Sequence, residues 1–110
     1  MTATAILIGP DGDDLGDALE SVGVSVTRVP GTGSKEQLKD ANASTADLLV
    51  VTDVTLATSI PIARELNDDL RVVVYSEETI PEFARATAEL IVDPALLAPE
   101  TVAETLTDEL

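Results

Sequence analysis

Asp47-Leu48-Leu49-Val50-Val51-Thr52 is the stretch that decides the fold. Its four central residues are apolar without a break. A strand with one wet face alternates apolar and polar residues, and a helical stripe needs a longer run. A short continuous run of Leu and Val is the mark of a strand buried on both faces, as in a parallel sheet covered by helices. Four further runs match it. Ala3–Gly9 precedes it, followed by a run marked by Val24, Val26 and Val29. Arg71–Tyr75 and Glu89–Val92 come after it.

Helical periodicity fills the intervals. Leu15, Ala18, Leu19 and Val22 recur at the spacing of one helix face, and Gly23 stands where a C-terminal glycine would end it. Pro30–Gly33 reads as a turn. Ser34 and Gln37 fit a capping box that opens a short helix through Leu38 and Ala41. A helix centred on Ile60, Ala63 and Leu66 starts near Ser59, because Pro61 is tolerated only in a first turn. Thr79 and Glu82 form a second capping box, with Pro81 early in the helix and Phe83 and Ala84 facing inward. Asp93-Pro94 reads as an N-cap and first position, and Pro99 restarts a last helix through Val102, Ala103 and Leu106. Five strands alternating with helices predict right-handed crossovers and one α/β domain over residues 1–110. The expected architecture is a single five-stranded parallel sheet, doubly wound, in a Rossmann-like or flavodoxin-like three-layer sandwich. The strand order stays open between 2-1-3-4-5 and 3-2-1-4-5.

Composition narrows the chemistry. Aromatics are 2% of the 110 residues, so Val, Leu, Ile and Ala must build the core. Absence of Cys and His removes thiol catalysis, disulfides and the usual zinc ligands and general base. Net charge is −15, from 21 acidic and 6 basic residues. The basic residues are scattered, which argues against nucleic acid and against an anionic membrane surface. An apolar fraction of 45%, strongly patterned, argues against disorder. At molar ionic strength the Debye length falls to about 3 Å, and such a surface ceases to repel itself. The charge therefore predicts a protein of a salt-rich cytoplasm, firmer as KCl rises. Neither a secretory signal nor a membrane span is expected. Self-association as a homodimer, through an edge strand or a helix face, or an unknown protein partner, is the expected interaction.

In a doubly wound sheet, ligands sit at the carboxyl ends of the strands. The candidate ligand-binding residues there are Gly9, Gly12, Gly16, Thr52, Asp53 and Ser76; Asp11, Asp13 and Asp14 are the candidate cation ligands, for K⁺ or Mg²⁺. The glycine loop departs from a dinucleotide fingerprint. Its spacing is Gly9-x-x-Gly12-x-x-x-Gly16, and no carboxylate ends the second strand, which closes Arg28-Val29-Pro30. Three aspartates compete for the helix amides and oppose a pyrophosphate. A nucleotide is therefore the less favoured ligand, and a tight turn with Asp13 or Asp14 capping the helix is the favoured reading. Gly31-Thr-Gly-Ser-Lys35 has Ser before Lys and lacks the upstream glycine of a P-loop. Arg64 and Arg85 are expected to pair with neighbouring carboxylates.

Acidic residues after strand one, Asp53 after strand three and Ser76 after strand four resemble the site of a phosphoacceptor receiver domain. That resemblance implies carboxylates holding Mg²⁺ and a Lys ending strand five; Asp93-Pro94 stands in the place of the Lys. A receiver that works without phosphorylation is accordingly one reading. From Ala46, "ADLLVVTDVTLATSIPIARELNDDLRVVVYSEETIPEFARATAELIVDPALL" resembles the second half of the nucleotide-binding domain of potassium-transport regulators, the RCK or TrkA-N type. "VPGTGSKEQLKDANASTAD" resembles their segment leading into strand three, in a shortened form. The whole chain also resembles a family of short haloarchaeal proteins labelled CTP synthetase, although it has neither an amidoligase P-loop nor the Cys and His of a glutamine amidotransferase site. Two functional classes follow: a non-enzymatic regulatory or interaction module, binding at most a weak nucleotide or cation, and a nucleotide-acting enzyme or subunit using Asp11, Asp13, Asp14 or Asp53 to hold Mg²⁺.

Overall fold

Leu48, Leu49, Val50 and Val51 are each fully buried, as an unbroken apolar run requires. A computed structural model describes residues 3–29, 34–78, 82–88 and 90–108 of the chain. It places that run at the centre of a five-stranded sheet, as β3 (Leu48–Val51). The elements in chain order are β1 (Thr4–Ile8), α1 (Leu15–Ser21), β2 (Ser25–Val29), α2 (Lys35–Asp40), β3, α3 (Ser59–Leu66), β4 (Arg71–Tyr75), α4 (Glu82–Thr87), β5 (Leu90–Val92) and α5 (Pro99–Asp108). All pairings are parallel and the order is β2-β1-β3-β4-β5. The order left open by the sequence is therefore 2-1-3-4-5, that of flavodoxin-like sheets.

Strand alternation sorts the core into two layers. Ile6, Ile8, Leu49, Val51, Val72 and Val74 point to one face, where Leu38 of α2 and Ile60 and Ala63 of α3 cover them. Ala5, Leu7, Leu48, Val50, Val73 and Tyr75 point to the other, under Leu15 and Leu19 of α1 and Val102, Ala103 and Leu106 of α5. The edge strand β2 is mostly exposed, and only Val29 of it is buried.

The local signals act largely as read. Ser34 and Gln37 form the capping box of α2, with both reciprocal bonds present. α3 begins at Ser59, so Pro61 falls in the first turn. Gly23 closes α1: its N–H donates to Glu20 O and that of Val24 to Leu19 O, a Schellman pair. This closure ends the helix one residue early. Val22, expected on the inner face, becomes the C-cap and stands 38% exposed. A short 3₁₀ turn, Val54–Leu56, precedes α3 and was not anticipated. Asn67, just after α3, holds the α2–β3 connection in place by donating to Ala43 O and Ala46 O, both at 3.0 Å. The Pro30–Gly33 turn, Thr79 and Pro81 of the second capping box, Glu89, and the side chains of Phe83 and Ala84 lie outside what is described. Among the described residues no helix is long and apolar enough to cross a membrane.

Candidate functional site

The glycine loop leaves β1 at Gly9, whose φ is +106°. A Cβ there would collide with Thr52 Oγ1 and come within 3.1 Å of Asp53 N. Gly9 is thus required both by its left-handed backbone and by the close passage of the β3–α3 connection. Thr52 fastens the two together. Its hydroxyl donates to Pro10 O at 2.6 Å and approaches Ile8 O at 3.3 Å, while its N–H donates to Ile8 O at 3.0 Å.

At the helix end of the loop the cap is not the expected one. Asp14 is the N-cap residue, with φ 59°, and its side chain accepts no capping bond. Asp13 makes no capping bond either. Asp11 does the work from three residues further back: the Gly16 N–H donates to its two carboxylate oxygens at 3.1 and 3.3 Å. The loop curls tightly enough, with Asp14 N–H bonded to Asp11 O, to bring that carboxylate over the start of α1. Arg28 of β2 then seals it from outside, its Nη2 lying 3.3 Å from Asp11 Oδ2 and 3.2 Å from Asp17 Oδ1, and its Nη1 3.7 Å from Glu20 Oε1. The hydrogen bond to Asp11, then the pull of Asp11, Glu20 and Asp17, raises the guanidinium pKa further above its ordinary value. Gly16 makes room for the pair, because a Cβ would stand 2.6 Å from Arg28 Nη2 and 2.8 Å from Asp11 Oδ2. An internal carboxylate therefore holds the amide that a bound phosphate would need.

The rest of the loop opens on a cleft of about 420 Å³ at the carboxyl ends of the strands. Gly12, Asp13, Thr52 and Ser76, four of the expected residues, line it together. Tyr75, Pro10, Pro94, Glu77 and Glu78 line it as well. Three of the lining residues carry carboxylates and none is Lys or Arg. The Tyr75 side chain is buried and its hydroxyl donates to Leu97 O at 2.9 Å; burial first, then Asp13 and Glu100, push its pKa up. Ser76 Oγ accepts from the Glu78 N–H at 3.2 Å.

Asp53 is not among the lining residues. Its Oδ1 accepts from Thr55 Oγ1 at 2.7 Å and from Thr55 N–H at 2.9 Å, capping the 3₁₀ turn. The hydroxyl bond, then the backbone bond, holds its pKa below the usual carboxylate range. Asp93 likewise serves its own turn, accepting from the Ala95 N–H at 2.8 Å, and no Lys ends β5. The expected cation set is split: Asp11 faces Gly16 and Arg28, whereas Asp13 faces the cleft. Among the described residues no three carboxylates are grouped so as to hold a metal ion. Arg64 turns to its own loop, donating to Asp68 O at 3.5 Å. Sequence reasoning missed Arg28 as the clamp on Asp11, and it missed Tyr75, Glu77, Glu78 and Pro94 as cleft walls. Arg28 was signalled only by being a lone cation next to the last residue of the second strand.

Together these features define a flavodoxin-like α/β domain with an acidic strand-end cleft. The chain belongs to a family of unknown function, DUF7126, whose sequence profile matches residues 5–106. No curated protein matches it. Solved structures share the fold at low identity. An orphan response regulator of H. pylori superposes with a TM-score of 0.70 at 17% identity, covering 96% of this chain and 94% of that one. The TrkA-N domain of the inner membrane protein ybaL from Escherichia coli gives 0.65 at 17%, covering 100% and 98%. A response regulator from Burkholderia pseudomallei, with a phosphorylated aspartic acid, calcium ion and citrate, gives 0.59 at 19%, covering 97% and 72%.

Proposed function

We propose that the chain is a non-enzymatic regulatory or interaction module of receiver topology, acting in a salt-rich cytoplasm without phosphoryl transfer. One observation carries the reading: the cleft-facing residue at the end of β3 is Thr52, tied to Pro10 O, while the neighbouring carboxylate of Asp53 is committed to Thr55. A phosphoacceptor must be a carboxylate open to the cleft, beside further carboxylates for the divalent cation and a cation for the phosphoryl charge. The B. pseudomallei regulator carries a phosphorylated aspartic acid and a calcium ion. Here Asp13, Glu77 and Glu78 repel an incoming phosphate, and among the described residues no Lys or Arg lines the cleft to offset them. Strand order favours this reading over a dinucleotide binder. The self-capped Gly16 amide weighs against a nucleotide-acting enzyme. Asp13 leaves room for weak K⁺ or Mg²⁺ association.

The test is to incubate the chain with a small acyl phosphate and Mg²⁺ in molar KCl and weigh the intact protein. The reading predicts no phosphoryl adduct. An adduct on Asp13 or Asp53 would remove it.

A further inference from the structure

The acidic cleft has an apolar rim. Leu96 is 79% exposed and Leu97 43% exposed, on the turn that follows Asp93. Pro94 of the same turn lines the cleft, and the hydroxyl of Tyr75, another lining residue, holds the main chain of Leu97. The leucines therefore stand on the turn that carries Pro94 from the cleft wall, with the Leu97 main chain tied to Tyr75. Beside them, Asp13, Glu77 and Glu78 take part in no salt bridge among the described residues. The surface thus offers uncompensated negative charge next to large apolar side chains left in water.

We infer that this cleft and its leucine rim dock a basic amphipathic segment of a partner protein, whose Lys or Arg residues meet Asp13, Glu77 and Glu78 while its apolar residues cover Leu96 and Leu97. The inference rests on the interaction-module reading and names the partner's chemistry. Charge complementarity selects this occupant. A second copy would bring 21 acidic residues against 6 basic ones, of which Arg28 and Lys35 already pair within the chain, and so supplies few cations to meet these carboxylates. Nucleic acid would bring phosphates to carboxylates. The apolar contact keeps its strength at molar KCl, where the charge contribution is largely screened.

The experiment is an amide NMR titration of the full chain with three synthetic peptides, built of Lys and Leu, Lys and Ser, or Glu and Leu, at low and molar KCl. The Lys/Leu peptide is expected to give saturable shifts confined to residues 11–13, 75–78, 93 and 95–97, and the other two none. Leu96→Ser should weaken it about tenfold. Glu77→Lys with Glu78→Lys should weaken it at low salt and much less at molar KCl. All three positions are exposed, and each variant's free spectrum reports its fold. Absence of shifts, shifts spread over the acidic surface, equal binding of the Lys/Ser peptide, or undiminished binding by Leu96→Ser would each overturn the inference. So would the same residues moving with protein concentration alone, which would seat a second copy there. A negative titration with a chain still inert to acyl phosphate removes this inference alone; a phosphoryl adduct removes the reading beneath it.

Discussion

At the scale of single residues, Asp11 and Asp14 are the informative contrast. Asp11 satisfies the Gly16 amide and anchors Arg28, so Asp11→Ala should cost about 1–2 kcal/mol in chemical denaturation, the range of a lost cap. Asp14 sits at φ 59° with no capping bond, so Asp14→Gly should leave stability unchanged or raise it by about 1 kcal/mol. Were the two effects exchanged, the cap assignment would be wrong. Gly9→Ala should cost about 2 kcal/mol or more, since strain and collision with the Thr52 hydroxyl add. Combining it with Thr52→Ala should recover about 1 kcal/mol of that loss in a double-mutant cycle. That a helix cap was needed was legible from three aspartates among three glycines. Which aspartate caps was not legible, because a hydrogen bond from five residues away depends on the curl of the loop and on an arginine from another strand.

Whole elements show the same division. The unbroken run Leu48–Val51 and the capping box at Ser34 are local statements, and both elements form where they were read. The role of Asp53 depends on the 3₁₀ turn after β3, a feature with no periodic signature of its own. The two bonds from Thr55 lower the pKa of Asp53. Its folded value lies below its unfolded one, so the stability it contributes is present above the ordinary carboxylate pKa and is lost as pH falls through the lowered value. Thr55→Val removes the hydroxyl, the larger cause, and keeps the amide. A carboxyl-carbon NMR titration should then show the Asp53 midpoint rising toward the ordinary range; an unchanged midpoint would mean that Asp53 is not turned toward Thr55.

For the whole molecule, the sheet order could not be read from alternation alone, since both orders give the same sequence of strands and helices. It is set by which crossovers go to which face, and the sorting of α1 and α5 to one layer and α2 and α3 to the other fixes it. The charge of −15 acts at this scale too. Midpoints of denaturation should climb steadily from dilute buffer to molar KCl, and a flat series would refute the proposed salt adaptation. The account as a whole turns on a glycine loop whose Gly16 amide is taken by the chain's own Asp11. Amide NMR of the Gly16 N–H in molar KCl, through a titration with adenine and nicotinamide nucleotides and Mg²⁺, tests that most directly. The account predicts that the Gly16 resonance stays where it is up to millimolar nucleotide. A saturable shift at Gly16, with companions at Gly12 and Thr52, would contradict it.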